Sequence, residues 1–344
     1  MTLSKKLKKL ERRICRLLCA RHDRPLPPET ARDKALTEEL RAALRDITEP
    51  EQAAESASEE EWLSNVNRLG ELVFNEDPRE FLRWDIILKT MYITCADYTK
   101  PELKYLRGHP DWNTRWRDAV KESHVGHPVP YWRYPDSSEN LIHHAYHIAQ
   151  FEDRTGRRID GMDFILEFGA GYGSMCRLIH KLGFRGRYVA FDLPAFSALQ
   201  KFFLKSMSLT VHPPDRFREE ASGIACVSDI SQLSALISGQ GDMSESMFVA
   251  TWSISETPVG LRDSILPLLS SFKAFLIAYQ AQFREVDNIA FFKGWTAART
   301  DIQWWDWKIE QIPNHNRYLV GRAKSAGTRK AGIRQKVEVA RSNS

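Results

Sequence analysis

The stretch Phe164-Ile165-Leu166-Glu167-Phe168-Gly169-Ala170-Gly171-Tyr172-Gly173 decides the fold of this chain. A short apolar run leads into a turn that carries three glycines at alternate positions. Glycine lets the backbone turn sharply and approach a ligand closely, because it has no Cβ atom to clash. The stretch therefore predicts a β-strand followed by a nucleotide-binding loop, with Ser174 as the cap of the next helix.

The residues after this loop continue the pattern of a β-α-β unit. Residues 175–182 predict a helix that Gly183 ends, and residues 188–191 predict a second buried strand. Asp192 directly follows that strand. A carboxylate at this position can accept hydrogen bonds from the hydroxyls of a ribose.

The spacing of the glycines distinguishes two classes of ligand. A dinucleotide site has the pattern G-x-G-x-x-G, whereas residues 169–173 read G-x-G-x-G. Glu167 stands two residues before the first glycine, and its carboxylate attracts the ammonium of an amino acid but repels a pyrophosphate. Both features indicate S-adenosylmethionine as the cofactor rather than a nicotinamide dinucleotide.

The same residues resemble the class I S-adenosylmethionine-dependent methyltransferases. In that superfamily the first motif reads acidic-x-G-x-G-x-G, and the second strand ends in an acidic residue. The resemblance implies a Rossmann-like α/β sheet with helices on both faces. The cofactor-binding residues that we predict are Glu167, Gly169, Gly171, Tyr172, Gly173, Asp192, Leu193, Asp229 and Ile230. Asp229 and Ile230 are placed at the adenine, and capping of a helix by Asp229 or Ser231 is the alternative.

The rest of the chain supplies the remaining elements of such a sheet. Residues 209–211 predict a short strand and residues 304–312 and 317–320 an antiparallel hairpin that closes the sheet. Helices are predicted at 194–207 and 288–298, and further strands at 223–227, 246–252 and 272–279. We place the catalytic domain at residues 161–322.

A mostly helical N-terminal region precedes this domain. We expect a basic amphipathic arm and linker at 1–60, a helical acceptor or lid region at 61–160 and a basic disordered tail at 323–344. The arm has apolar residues at coiled-coil spacing, namely Leu3, Leu7, Leu10, Ile14 and Leu17. Residues 1–24 therefore suit pairing with another helix or contact with a membrane surface, and a solvated helix is the plain alternative.

Charge and composition narrow the classes of function. The 344-residue chain has a formal net charge of +4, but residues 1–24 and the tail are strongly basic, so the remaining body is acidic. An acidic body argues against binding of nucleic acid. No apolar run has the length of a membrane span, and the N-terminus lacks the apolar core of a signal peptide, so we expect a cytoplasmic protein. The five scattered cysteines indicate neither a disulfide framework nor a zinc site.

Candidate acceptor residues lie on both sides of the glycine loop. His143, His144 and His147 precede it, and a neutral histidine can accept a hydroxyl proton at cellular pH. We predict His144 or His147 as the general base, with Glu256 as a base or as an anchor for the acceptor. Metal ligation by the histidines is a further alternative, although no fourth ligand is spaced for it. The substrate-binding residues that we predict are Trp132, Tyr134, His143, Trp252, Ser253 and Ser255.

Five short motifs together resemble the putative sugar O-methyltransferase family. They are F-L-R-W-x-x-I-x-x-T-M at 81–91, H-H-A-Y-H at 143–147, E-F-G-A-G-Y-G at 167–173, D-L-P at 192–194 and S-x-S-E at 253–256. The chain departs from the family at Ala170, where a glycine is common, and at Thr257, where a methionine is common. The resemblance implies a methyltransferase of class EC 2.1.1 that transfers a methyl group in line to a sugar or glycan hydroxyl. An inactive methyltransferase-fold scaffold and a methyltransferase of a non-sugar or lipid-linked acceptor are the alternatives.

Overall fold

The computed structural model describes residues 3–47, 57–313 and 315–324. Seven strands form one mixed sheet in the order β3-β2-β1-β4-β5-β9-β8, and two short strands, β6 and β7, form a separate hairpin. The strands are β1 Phe164–Phe168, β2 Arg187–Phe191, β3 Gly223–Val227, β4 Ser246–Thr251, β5 Ala274–Gln280, β6 Gln282–Phe283, β7 Val286–Asp287, β8 Ile302–Lys308 and β9 Asn316–Ala323.

The helices lie on both faces of the sheet and in the N-terminal region. They are α1 Leu3–Ala20, α2 Ala31–Arg45, α3 Ala57–Asn75, α4 Asp85–Thr90, α5 Thr99–Arg107, α6 Arg117–Ala119, α7 Glu139–Thr155, α8 Ser174–Lys181, α9 Pro194–Ser206, α10 Pro214–Phe217, α11 Ile230–Ser238, α12 Ser253–Glu256, α13 Val259–Ile265 and α14 Asn288–Ala298. Short 3₁₀ helices occur at Pro78–Arg83, Ile159–Gly161 and Leu266–Ser271, and one π-helical turn at Trp112–Trp116.

The sheet combines parallel and antiparallel strands. β1 to β5 pair in parallel, whereas β9 runs antiparallel between β5 and β8. The strand order reverses between β1 and β4, and ligands of open α/β sheets bind at such a switch point. The predicted fold class is confirmed, including the closing antiparallel hairpin. The predicted strand at 209–211 is wrong, because Val211 makes only an isolated bridge to Ile224.

The alternation of side chains along β1 separates two hydrophobic cores. Phe164, Leu166 and Phe168 point into the core beneath α11 and α13, whereas Ile165 points into the core beneath α7, α8 and α9. Glu167 therefore lies on the Ile165 face, towards the N-terminal helices. A buried carboxylate enters this apolar layer because the strand alternation requires it.

The N-terminal region is packed onto the sheet domain at several points. Trp62 of α3 packs edge-to-face on Phe196 of α9, with ring centroids 6.1 Å apart. The Asp23 carboxylate, just after α1, pairs with Arg83 at 2.5 Å. The predicted helical arm is present as α1, but the side chains of Leu3 and Leu7 lie outside the described part. Residues 325–344 of the predicted tail and residues 48–56 of the linker also lie outside it.

Candidate functional site

The glycine loop is held in a conformation that L-residues with side chains rarely adopt. Gly169, Gly171 and Gly173 have φ values of 71°, 57° and 96°. A Cβ atom built on Gly169 lies 2.2 Å from the Cβ atom of Ser253, so no side chain fits there. Gly173, and not the predicted Ser174, occupies the cap position of α8, and no side chain caps that helix. The loop therefore presents bare backbone next to the β4 exit.

Glu167 is buried at the end of β1 and faces the cavity that the loop borders. Its carboxylate accepts a hydrogen bond of 2.6 Å from the hydroxyl of Tyr188, which lies on the same face of β2. Burial raises the pKa of Glu167 to about 8, and this hydrogen bond opposes part of the shift. Burial thus favours the neutral form of this carboxyl, whereas a cationic ligand beside it favours the ionised form.

Asp192 follows β2 and completes the same part of the site. Its two oxygens accept the backbone N–H groups of Gly171 at 2.7 Å and of Leu193 at 2.8 Å. Burial raises the pKa of Asp192 to about 7. Leu193 lines the cavity beside it with a side chain that is 39% exposed. The aspartate thus locks the shape of the glycine loop and also faces the ligand space.

The turn after β3 divides the two residues that were predicted at the adenine. Ile230 lines the cavity together with Ser228. Asp229 is instead exposed, and its carboxylate accepts the backbone N–H of Gln232 at 2.8 Å as the N-cap of α11. The helix-cap alternative therefore describes Asp229, whose carboxylate caps α11 and does not belong to the cavity lining.

The exit of β4 contains the most strained residue of the site. Trp252 has a φ of 65° and a ψ of −35°, which is uncommon for a bulky residue and occurs mostly at functional sites. Its indole N–H donates to Asn316 at 2.8 Å, and its ring stacks on His143 with centroids 5.4 Å apart. Trp252 and Ser253 line the cavity as predicted, whereas Ser255 is fully buried and donates to the carbonyl of Trp252.

Glu256 ends α12 and also lines the cavity. Its carboxylate accepts a hydrogen bond of 2.6 Å from the side-chain amide of Gln280 at the end of β5. The carboxylate is half-buried at the cavity wall, and a carboxylate can accept several hydrogen bonds at once.

Two of the three predicted histidines belong to a buried hydrogen-bonded chain. The Nδ1 of His143 lies 2.9 Å from Glu102, and its Nε2 lies 3.0 Å from the Nε2 of His147. The Nδ1 of His147 is hydrogen-bonded to the hydroxyl of Tyr318. With both imidazoles neutral, one arrangement satisfies every group: Tyr318 donates to His147, His147 to His143, and His143 to the Glu102 carboxylate. His147 is fully buried by this chain and has no free nitrogen, so it is not placed to act as the base.

His144 lies on the other side of α7 and lines the cavity. Its buried Nδ1 has no hydrogen-bond partner among the described residues. Burial, with a smaller effect of His143, lowers the pKa of His144 to about 3. The imidazole is therefore neutral at physiological pH and keeps a lone pair that can accept a proton.

Of the aromatic residues Trp132 and Tyr134, both predicted at the acceptor, only Trp132 lies at the cavity. Trp132 lines the cavity, as does the neighbouring Tyr131. Tyr134 lies outside the cavity, where its ring packs near Trp112 and under the guanidinium of Arg107. The prediction for Tyr134 is therefore wrong in position, because a tight turn, with a backbone hydrogen bond of 2.8 Å to Tyr131, directs the chain away.

A single cavity of about 2100 Å³ joins these groups. It runs from the carboxyl ends of β1, β2 and β4 to the underside of α1. The cavity floor comprises Glu167, the backbone of Gly169–Tyr172, Asp192 and Glu256, and the cavity mouth comprises the exposed lining residues Arg12, Arg16, Lys89, Lys100 and Arg133. The buried ring of Tyr172 packs on Phe81 and Phe203 beside the floor.

Several residues of the site were not predicted from the sequence. Glu102 and Tyr318 anchor the histidine chain, and Asn140 donates to the hydroxyl of Tyr172 at 2.9 Å while it accepts from the backbone of Ile93. Each partner is far away along the chain, so no local spacing indicates it. For Glu102, the available signal in the sequence was an acidic residue within a segment that forms the helix α5.

The described residues contain no cluster of three or more histidine, cysteine or acidic side chains suited to a metal ion. In the same part of the chain, no helix is both long and apolar enough to cross a bilayer. Cys15 and Cys19 lie on one face of α1 with their sulfur atoms 4.0 Å apart.

Comparison with known proteins adds a distant likeness only. No family model and no curated protein matches the chain. Among solved structures, it is similar to magnesium protoporphyrin IX methyltransferase from Synechocystis PCC 6803 with bound S-adenosylmethionine, at 10% identity, 65% coverage of this chain, 91% of that chain and a TM-score of 0.36.

Two other solved structures show a similar level of likeness. Precorrin-6y C5,15-methyltransferase from Geobacter metallireducens GS-15 matches at 12% identity over 54% of this chain and 89% of that chain, with a TM-score of 0.34. A putative RNA methyltransferase from Pyrococcus horikoshii matches at 11% identity over 67% and 98%, with a TM-score of 0.36. These values are too low to support a statement on acceptor or activity, so the fold assignment rests on the strand order and register of the sheet.

Proposed function

We propose that the chain is an S-adenosylmethionine-dependent O-methyltransferase whose acceptor is a hydroxyl of a sugar or glycan. The observation that carries the proposal is the cavity floor at the β1/β4 switch point. There, two carboxylates with raised pKa values and a loop of bare backbone face one ligand space. A cofactor with an ammonium and a sulfonium group offsets buried negative charge, whereas a pyrophosphate adds to it.

The floor residues fit such a cofactor by shape as well as by charge. Gly169 leaves no room for a Cβ atom because Ser253 packs against it, so the loop lies directly beside the exit of β4 at the edge of the ligand space. Asp192 is placed for ribose hydroxyls, because it already lies against the loop through the Gly171 amide. When bound, the cofactor supplies the electrophilic methyl group. The side chains of this protein supply the other roles, namely positioning the acceptor and accepting its proton.

His144 is the residue that we assign as general base. It is the histidine that lines the cavity outside the hydrogen-bonded chain of His143 and His147, and its lowered pKa keeps it neutral. A base of low pKa is weak, so positioning of the acceptor hydroxyl has to supply much of the rate. Glu256 is placed to hold a neighbouring hydroxyl of the acceptor, and Trp132 and Trp252 offer aromatic faces to a sugar ring.

The first test is calorimetric titration with S-adenosylmethionine, S-adenosylhomocysteine and NAD in parallel. The proposal predicts binding of the first two ligands and none of NAD. Absence of binding by all three contradicts it and favours the scaffold alternative. A screen of sugar acceptors for methyl transfer from labelled cofactor then tests the acceptor class.

The assignment of the base is tested separately. We expect His144→Ala to lower kcat for methyl transfer by about a hundredfold while cofactor affinity stays unchanged, because His144 does not belong to the cavity floor. Glu256→Gln is the companion variant, and it should raise the KM for the acceptor more than it lowers kcat. Normal turnover of His144→Ala would remove this histidine from the mechanism.

A further inference from the structure

The side chains that line the cavity are acidic at the floor and basic at the mouth. The floor holds the carboxylates Glu167, Asp192 and Glu256, whereas the exposed mouth holds five cationic side chains. The cations come from four separate segments, namely Arg12 and Arg16 of α1, Lys89 of α4, Lys100 of α5 and Arg133. Cations from separate segments that meet at one opening mark it as a place for an anion.

Some arginines of the protein are paired with carboxylates, whereas those of α1 at the mouth are not paired with any described residue. Arg115 pairs with Glu152 at 2.5 Å, and Arg83 pairs with Asp23. Arg12 and Arg16 are exposed, and neither has an ion-pair partner among the described residues. They lie one turn apart on α1, which brings their guanidinium groups to the same face of the helix.

Among the described residues, few carboxylates of the cavity lining offset the charge of Arg12, Arg16 and Arg133. Glu139 lines the cavity nearby, but it accepts the backbone N–H of Ala96 at 2.9 Å, and burial raises its pKa to about 8. It therefore contributes little negative charge at neutral pH. Glu11 and Asp97 are the two other carboxylates that line the outer part, against the five cations.

An aromatic surface lies beside the cations. The guanidinium of Arg133 lies 3.9 Å from the centroid of the Trp132 ring, and Trp132 lines the cavity. A stacked arginine keeps its N–H donors free at the ring edge and is held in a fixed orientation. The mouth thus combines a flat apolar face with an oriented fork of donors.

We propose that the acceptor carries a phosphate or diphosphate group, which Arg12, Arg16 and Arg133 bind at the cavity mouth while Trp132 contacts the attached sugar ring. This inference rests on the proposed function and specifies its acceptor class. Arginine forks match phosphate oxygens in pairs, and two arginines one helical turn apart can contact adjacent phosphoryl groups. The acidic groups of the floor then receive the cationic cofactor, whose positive charge favours the ionised forms of Glu167 and Asp192, and the basic mouth receives the phosphate.

A phosphorylated sugar can be soluble or attached to a lipid, and α1 gives a reason to test both sources. Leu10 and Leu17 on this helix are 53% and 61% exposed next to the two arginines. An apolar stripe beside cations suits the surface of a membrane that carries the acceptor. A soluble nucleotide sugar does not need these leucines.

The closing experiment measures three affinities on the full-length chain. Calorimetry with S-adenosylhomocysteine reports the floor, calorimetry with uridine diphosphate reports a soluble diphosphate, and flotation with phosphatidylcholine vesicles containing a polyprenyl diphosphate reports a lipid-linked one. In the double variant Arg12→Ala/Arg16→Ala we expect at least about tenfold weaker binding of the diphosphate probe, since two charge-assisted contacts are lost. The affinity for S-adenosylhomocysteine should stay within about twofold of wild type, because its site is on the floor.

Arg13→Ala is the matched control, because Arg13 is exposed on the same helix, lies outside the cavity and has no ion-pair partner among the described residues. It should bind the probes as wild type does. Binding of either diphosphate probe with this selectivity supports the inference, and the probe that binds identifies the source. An equal loss in Arg13→Ala, or binding of S-adenosylhomocysteine without either diphosphate probe, overturns the inference and leaves the proposed function intact. No binding of S-adenosylhomocysteine overturns both.

Discussion

The floor and the mouth of the cavity are built in different ways. The floor comes mainly from two consecutive strand-to-helix turns, in which backbone groups and short contacts such as Gly171 to Asp192 define the shape. The mouth and the histidine chain come from α1, α4, α5, α7 and the ends of β4 and β9, which meet only through side chains. The difference teaches that the floor depends on backbone geometry, whereas the acceptor side depends on the packing of distant segments.

The most severe way to break the floor is Gly169→Ala. The added Cβ lies 2.2 Å from the Cβ of Ser253, and φ is +71°. Backbone strain and overpacking together should weaken cofactor binding by about 4 kcal/mol, which is about a thousandfold in Kd. Calorimetry with S-adenosylhomocysteine measures the effect. Gly260→Ala is the control, because Gly260 lines the same cavity with nothing within 4 Å of its added Cβ, and its Kd should not change.

A second-site variant sharpens this test. Ser253→Gly removes the atom that the new Cβ meets, so Gly169→Ala/Ser253→Gly should bind more tightly than Gly169→Ala alone. No recovery in the double variant would show that backbone strain, and not the contact with Ser253, limits the floor.

A change in the hydrogen-bonded histidine chain should lower the free energy of unfolding and leave the cofactor affinity unchanged. Glu102→Ala leaves the buried Nδ1–H of His143 without its acceptor, and both groups are at most 1% exposed. We expect a loss of about 3 kcal/mol in the free energy of unfolding, because one partner of a buried polar pair is removed. Urea unfolding measures it. Glu102→Gln keeps one acceptor oxygen and should lose much less, and equal losses in the two variants would contradict the proton arrangement.

The pH dependence of cofactor affinity distinguishes the floor from the mouth. The pKa values of Glu167 and Asp192 are raised by burial to about 8 and about 7, so both carboxyls are largely protonated at pH 6. A cationic cofactor binds the ionised forms, so its affinity should rise with pH by about tenfold per unit while one carboxyl titrates, and level off above pH 8. Titrations in two buffers of different ionisation enthalpy should show proton release on binding, and Glu167→Gln should reduce it. An affinity that falls between pH 6 and 8 would contradict this role of the carboxyls.

The smallest effect is expected at the edge of the floor. Asp229→Ala removes the cap of α11 and should cost about 1 kcal/mol of unfolding free energy, with no change in cofactor affinity. Urea unfolding and calorimetry measure the two quantities. Ser231→Ala, in the same helical turn and exposed, should leave both unchanged. A weaker cofactor Kd in Asp229→Ala would instead support the adenine contact that the sequence first indicated.

The local motifs could be interpreted from the sequence because their physics is local. The pattern of Glu167 to Gly173 predicted a strand, a turn and a helix, and the three glycines do have positive φ. Asp192 directly follows β2, as the apolar run at 188–191 predicted. Ser174 was assigned as a cap from its residue type alone, but Gly173 takes that position in the structure.

The acceptor residues could be predicted only by residue type. His143 and His147 were predicted as acceptor-site residues, and their Nε2 atoms lie 3.0 Å apart. Their roles were not evident, because Glu102 lies 41 residues from His143 and Tyr318 lies 171 residues from His147. Tyr134 and Ser255 have suitable chemistry for an acceptor site, but the chain path takes both away from the cavity.

The sequence by itself determined the fold class, the glycine loop and the positions of Glu167 and Asp192 at the ends of their strands. These features depend on glycine torsion angles and on alternation along a strand, and both act within a few residues. Only the tertiary structure decided that His144 lies outside the hydrogen-bonded histidine chain, that Asp229 caps a helix, and that Arg12, Arg16, Arg133 and Trp132 line one cavity. Those outcomes depend on burial and on contacts between segments that are distant along the chain, which residue spacing alone does not specify.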